Sequence, residues 1–381
     1  MQVTAIRQFL ARTFGVLDPP LTVIIALLLA YALIVIISAT ADFTHRLDQH
    51  FVNLGVALCA MLVVARIPPQ QLMTLALPAY LVGLVLLVAV AVAGDVSKGA
   101  RRWLNLGIMR IQPSEMMKIA VPLMLAWYFH KHEALLRARD FLVAGVILAL
   151  PVLLIAKQPD LGTAILVLAA GVFVIFFAGL SYKLILPLSL AGAIGVGALV
   201  YYGEHLCADG VDWPGIKEYQ KHRICTLLDP SSDPLGKGFH IIQSTIAVGS
   251  GGIVGKGWMK GTQTHLEFIP ERHTDFIFAV MAEEFGLVGA IVLVIMYLAL
   301  ITRGLMIAAQ ATSLFSRLLA GSITMIFFTY AFVNMGMVSG ILPVVGVPLP
   351  FVSYGGTALV TLCTGLGILM SIRKHRRLGQ Q

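Results

Sequence analysis

The sequence predicts an all-α polytopic membrane protein, with about ten transmembrane helices and a large extracytoplasmic loop between helices 7 and 8. Three observations carry this reading. Charged residues make up only 12% of the chain, against about 25% in a soluble domain. Apolar runs near the roughly 20 residues that cross a bilayer recur along its whole length. Lys and Arg are unevenly divided between the loops on alternate sides of those runs.

In chain order the spans read 21–40, 51–65, 73–94, 113–129, 141–156, 161–182, 184–203, 276–302, 315–339 and 353–372. The second, fourth and fifth are short for a crossing. After the first, "ISATAD" holds an A-x-A pattern (Ala39, Thr40, Ala41) of the kind found at signal-peptide cleavage sites. The apolar run before it is longer than a usual signal core, so it is read as a retained helix. One transmembrane domain, residues 1–381, is expected, with its long loop at about 204–273. No short repeat, low-complexity tract or linker divides it.

Orientation follows from the basic residues. With both termini inside, the cytoplasmic side holds thirteen Lys and Arg, nine of them ahead of the C-terminal tail: Arg7, Arg12, Arg66, Lys131, Arg137, Arg139, Lys183, Arg303 and Arg317. The tail "RKHRR" adds four more. The other side holds Arg46, Lys98, Arg101, Arg102, Arg110 and Lys157 in short loops. Its long loop carries eight acidic and seven basic residues and is nearly neutral. Long loops count little in this rule. The net charge of +8 therefore reads as topology and anionic-lipid contact, and nucleic acid is not an expected partner. Cys59 and Cys363 lie in apolar spans and read as packed. Cys207 and Cys225 share the long outer loop, where oxidising conditions permit a bridge, and the sequence leaves their pairing open.

Unusual polar residues collect in four outer stretches, 95–118, 157–162, 204–275 and 340–357. A transporter would be expected to hold its ionisable groups near the midplane. Here only Glu283 and Glu284 lie deep in a span. In "FIPERHTDFIFAVMAEEFG" (268–286), a helix starting near Thr274 would place Asp275 in its first turn, where the helix dipole favours a carboxylate. The alternative is a carboxylate at the membrane surface beside His273, Arg272 and Glu271, serving as a general base or metal ligand. At 100° per residue Glu283 lies about 80° around that helix from Asp275 and Glu284 about 180°, so Glu283 could share its polar cavity.

The stretch "KGARRWLNLG" (98–107) sets Arg101 and Arg102 beside Trp103. Arginine forks suit phosphate oxygens and Trp suits the headgroup layer, although an interfacial anchor explains the same residues. In "QPSEMMK", Glu115 and Lys118 stand three apart on one helical face, as an ion pair that locks the helix or as a substrate contact. Lys157 and Asp160 of "KQPDLG" fit a Pro-initiated turn with a helix-starting Asp. "GSGGIVGKG" (249–257) fails the nucleotide-loop pattern and reads as flexible loop. "FHIIQSTIAVG" (239–249) is apolar enough to lie on or dip into the membrane, with Gln243 as a candidate substrate contact.

Together, "SKGARRWLNLG", "QPSEMMKIA", "QPDLGTA", "DPLGKGFHIIQS", "PERHTDFIFAVMAEEFGLVG" and "GILPVVGVPLPFVSYGGT" resemble the shape, elongation, division and sporulation (SEDS) family from about residue 18 to 377. "GMVSGILPVVGVPLP" favours its elongation branch over its division branch. The segment 203–223 is longer than the family pattern. The resemblance implies a ten-helix glycosyltransferase that polymerises lipid II into peptidoglycan strands for elongation and rod shape. Its implied partners are a class B penicillin-binding protein and other elongation-complex membrane proteins. It makes Asp275 the catalytic residue and candidate base, acting alone or through a divalent cation, magnesium or manganese, with no organic cofactor. Arg101, Arg102, Lys118 and Lys157 become candidates for the diphosphate. Trp103, Glu115, Asp160, Gln243, His273 and Ser353 complete the substrate set. A lipid II flippase, with Glu283, Glu284 and Asn334 as hints of a polar path, and a non-catalytic scaffold are the alternatives.

Overall fold

The computed structural model describes residues 15–40, 44–97, 100–105, 110–134, 136–208, 211, 213, 218–233, 236–265 and 271–376. Ala41 of the A-x-A pattern and Arg7, Arg12, Lys98 and Arg377 of the basic count lie outside them. Each expected span is met by a long helix. These are α1 (Pro19–Ala39), α2 (Thr44–Val64), α3 (Pro69–Ala93), α4 (Pro113–Lys131), α5 (Ala138–Lys157), α6 (Leu161–Phe177) and α7 (Tyr182–Tyr201). The loop segment holds α8 (Gly203–Leu206), α9 (Glu218–Leu228), α10 (Lys237–Ser250) and α11 (Thr262–His265). The chain ends with α12 (Ile277–Ala309), α13 (Leu314–Val338) and α14 (Gly356–Arg376). Seven of these are long and apolar enough by themselves to cross a membrane. The second span, short in the sequence reading, is a helix of 21 residues.

The backbone divides into two compact units, residues 1–178, 293–331 and 350–381 in one, and 179–292 with 332–349 in the other. In the first, α14 packs along α2, α3 along α4, and α6 against both α4 and α5. Asp18 caps α1 by accepting from the Leu21 amide at 3.2 Å. The same buried carboxylate takes Arg303 Nη2 at 2.6 Å and Arg373 at 3.4 Å, joining the ends of three helices.

Between α3 and α4 the chain forms three short antiparallel strands, β1 (Asp95–Ser97), β2 (Ala100–Asn105) and β3 (Arg110–Ile111), which the sequence reading did not separate from loop. Asp95 pairs with Trp103 and Leu104 with Ile111. Side chains alternate across a strand, so Arg101 and Trp103 share one face of β2 and Arg102 takes the other.

In the second unit the long loop is folded. Cys207 and Cys225 are bonded, and Lys221 Nζ donates to the carbonyl of Val211 at 2.7 Å. The glycine-rich stretch expected to be flexible is instead an ordered turn fitted to a break in α12. At Gly286 the φ is +62°, which interrupts the helix. Its freed backbone groups find partners in the turn. The amides of Leu287 and Val288 donate to the carbonyls of Gly252 and Ile253 at 2.9 and 3.0 Å, and those of Lys256 and Gly257 donate to Glu283 and Glu284, both at 3.0 Å. Apolar surroundings make unsatisfied backbone groups costly, so a broken membrane helix needs such a partner.

Cys363 is packed as expected, whereas Cys59 is exposed on α2. An exposed apolar side chain there is consistent with a helix whose outer face meets lipid.

Candidate functional site

In the second unit, residues 271–276 form a turn and α12 starts at Ile277. Thr274 therefore does not cap the helix. Its hydroxyl donates to Glu271 Oε2 at 2.9 Å, and the Thr274 and Phe276 amides both donate to the Glu271 carbonyl. Asp275 is thus held in a turn outside the helix, and the first-turn dipole account of its carboxylate is withdrawn. Asn334, fully buried in α13, donates to the Asp275 carbonyl at 2.8 Å and to the Val347 carbonyl at 2.7 Å. Gly346, at φ +74°, presents bare backbone there; a Cβ on it would lie 3.2 Å from Asp275 Oδ2. The carboxylate is partly exposed beside His273, which is also half-buried.

Gln243 lies half-buried on α10, which is pinned to the end of α13 by Ser244 donating to the Val338 carbonyl at 3.0 Å. Glu283 has a separate occupation. It is fully buried and accepts from Lys256 Nζ at 2.7 Å, Thr262 Oγ1 at 3.0 Å and the Gln263 amide at 3.0 Å. With Glu283 committed to the glycine turn and Asn334 to two carbonyls, two of the three hints of a polar transmembrane path have structural roles.

In the first unit Asp160 is a buried hub. It caps α6 through the Thr163 amide at 3.3 Å and accepts from Gln112 at 3.0 Å and Ser114 at 3.3 Å. Arg102 approaches it at 3.9 Å and donates to the Pro159 carbonyl at 2.5 Å. The adjacent arginines were expected to act alike, but strand alternation parts them: Arg102 braces the α5–α6 turn while Arg101 is exposed. Trp103 is half-buried on the Arg101 side, and Lys157 is exposed at the end of α5.

Glu115 and Lys118 form an ion pair of 2.5 Å inside the protein, and Lys118 also donates to the Tyr330 hydroxyl. Lys118 is 1% exposed. This placement matches the helix-locking ion pair, with Lys118 turned to two groups of the protein itself. Tyr330 was not singled out from the sequence, since nothing local marks a tyrosine 212 residues away as the partner of a lysine. Ser353 is 5% exposed, in the turn before α14. Among the described residues no three His, Cys, Asp or Glu side chains converge as a metal cage.

The fold and these polar clusters define a multi-pass α-helical membrane protein. The chain belongs to the FtsW/RodA/SpoVE cell cycle protein family, whose model matches residues 20–378. It is 50% identical over 362 residues to the peptidoglycan glycosyltransferase MrdB of Escherichia coli K12, covering 95% of each chain. It is 34% identical over 352 residues to the peptidoglycan glycosyltransferase RodA of Treponema pallidum, covering 77% of this chain and 81% of that one. Among solved structures it resembles a chain of a peptidoglycan synthase complex described for coordination of polymerization and crosslinking, at 33% identity and a TM-score of 0.77, covering 94% and 98%. The rod shape determining protein RodA of Thermus thermophilus matches at 27% identity and 0.68, covering 94% and 97%.

Proposed function

We propose that this chain is a peptidoglycan glycosyltransferase, polymerising lipid II into glycan strands at the outer face of the cytoplasmic membrane for cell elongation and rod shape. The observation that carries the reading is a half-buried aspartate, Asp275, fixed through its own backbone in a chain half identical to an enzyme of that name. In the reaction a sugar hydroxyl oxygen attacks an anomeric carbon, and the bond from that carbon to undecaprenyl diphosphate breaks. Asp275 takes the hydroxyl proton as the new bond forms. The departing diphosphate carries the electron pair and needs positive charge. Arg101 and Lys157 are the exposed cations of the predicted set. Trp103, Gln243, His273 and Ser353 remain the proposed contacts to the rest of lipid II, and Glu115, Lys118, Asp160 and Arg102 are kept as proposed members of the site.

Asp275 is also the ligand this chain offers to a magnesium or manganese ion, alongside the substrate's own oxygens. Mg²⁺ is commonly held by one or two carboxylates plus phosphates, so the lack of a three-residue cage among the described residues suits that mode. Such an ion would supply neutralising charge for the leaving group.

Both termini are proposed to be cytoplasmic, in keeping with the basic tail and with a disulfide in the long loop. The proposed protein partner is a class B penicillin-binding protein, supported by the likeness to a chain from a synthase complex, within a set of elongation-complex membrane proteins. The test is strand formation from lipid II by the purified chain with its partner, comparing wild type with Asp275→Asn. A general base contributes about 10²–10⁴-fold, so the variant should fall near background while still binding the partner. Normal polymer from a folded Asp275→Asn protein would overturn the assignment.

A further inference from the structure

A second polar cavity lies in the first unit, lined by none of the residues proposed for the reaction. A cavity of about 210 Å³ opens where the start of α3, the end of α4, the α12–α13 turn and the end of α14 meet. Its polar lining includes Gln70, His130, Thr312, Ser316, His375 and Arg376, and no acidic side chain lines it. Liquid water occupies about 30 Å³ per molecule, so the space suits a small tetrahedral anion with part of its hydration shell.

The donors are arranged by the fold. Ser313 caps α13 by accepting from the Ser316 amide at 3.2 Å and donates to Ser316 Oγ at 2.9 Å. This sets the positive end of a 25-residue helix at the cavity. Arg376 donates to the Gln310 side chain, which anchors one arm of its guanidinium. His375 Nδ1 donates to the Ser371 carbonyl at 2.9 Å, so Nε2 is the nitrogen left for a ligand, as a donor in the imidazolium form. His130 Nδ1 meets Glu133 at 3.1 Å in the same way.

Two helix C-termini also end here, each with about half a negative charge. Their own chain ends take up part of it: the His132 amide bonds the Tyr128 and Phe129 carbonyls, and His375 takes that of Ser371. The Glu133 carboxylate is taken up by His130 on the far side of that ring, and the full guanidinium charge of Arg376 with the helix N-terminus faces the cavity. Arg376 at the wall also excludes a cation. From this geometry we infer that the cavity binds a phosphate group, either on an anionic phospholipid headgroup or on a soluble phosphate.

The test uses the full chain in dodecyl maltoside, which carries no phosphate. Carbethoxylation of His130 and His375 is followed by mass spectrometry, with exposed His45 as the internal reference. One arm adds inorganic phosphate and the other adds phosphatidylglycerol. Protection of both cavity histidines, but not His45, is the expected result. Protection by phosphate identifies a soluble-anion site, and protection by phosphatidylglycerol alone identifies a headgroup site. Arg376→Gln and, separately, Thr312→Val should raise the ligand concentration needed, the former by about tenfold or more because a charge-assisted bond is lost. Unliganded melting temperatures establish that both variants are folded. Absence of protection in both arms, or undiminished protection in folded Arg376→Gln protein, would overturn the inference.

Discussion

Asn334 holds the turn of Asp275 from inside the protein: one amide nitrogen donates to the Asp275 carbonyl at 2.8 Å and to the Val347 carbonyl at 2.7 Å. The proposed base is therefore positioned through its main chain, by a residue that need never touch substrate. Asn334→Ala would take this donor from the buried Val347 carbonyl, at about 1–3 kcal/mol, and from the part-buried Asp275 carbonyl. Strand synthesis should fall mainly in kcat, with KM for lipid II little changed, and the melting temperature should drop. Asn334→Gln should not restore kcat, because the longer side chain cannot place one nitrogen between the same two carbonyls. Unchanged kcat in a folded Asn334→Ala protein would show that the turn holds itself.

The neighbouring arginines should part in their effects. Arg102→Ala removes the brace to Pro159 and the approach to Asp160. It should lower thermal stability by roughly 1–2 kcal/mol. Arg101→Ala, on the exposed face, should leave stability within about 0.5 kcal/mol and raise KM for lipid II. Equal melting temperatures for the two variants would contradict the division of the strand faces.

Gly286→Ala should be poorly tolerated. An added Cβ would meet the Ile253 carbonyl oxygen at 2.7 Å, at a φ of +62° that other residues rarely adopt. The left-handed conformation alone costs roughly 1–2 kcal/mol, and here the clash is with backbone that cannot swing aside. The variant should melt lower and expose the glycine turn to proteolysis near residue 255. A melting temperature equal to wild type would mean that the break in α12 is not obligatory.

Asp18 yields a pH prediction. Burial pushes its carboxyl pKa up, but the Arg303 hydrogen bonds and charge, with the Leu21 amide and Arg373, outweigh this and hold it below the ordinary 3.8. A depressed pKa means that its stabilisation is complete above the unfolded value and is lost as pH falls through the folded one. Asp18→Asn should therefore melt below wild type by a constant margin from pH 6 to 8, equivalent to roughly 2 kcal/mol or more. That margin should close only below about pH 4. A gap that closes near neutrality would point to another group.

Much of this protein was determined by its sequence alone. Ten apolar runs became ten long helices, because the solvent inside a bilayer accepts only backbone that satisfies itself locally. Asp160 as a helix-starting residue and Glu115 with Lys118 were legible for the same reason, since their partners lie within one helical turn. The family resemblance was legible because its long stretches occur in order. What only the tertiary structure decided are the contacts between distant segments. Nothing local pairs Lys118 with Tyr330, Asn334 with the turn of Asp275, or Glu283 with Lys256. Thr274 was a sound helix cap by composition, yet its hydroxyl found Glu271 and the helix began at Ile277. The glycine run looked flexible because glycine imposes no conformation of its own. It became ordered because the break at Gly286 offers it four backbone partners, and a low-dielectric setting leaves those groups no water to bond instead.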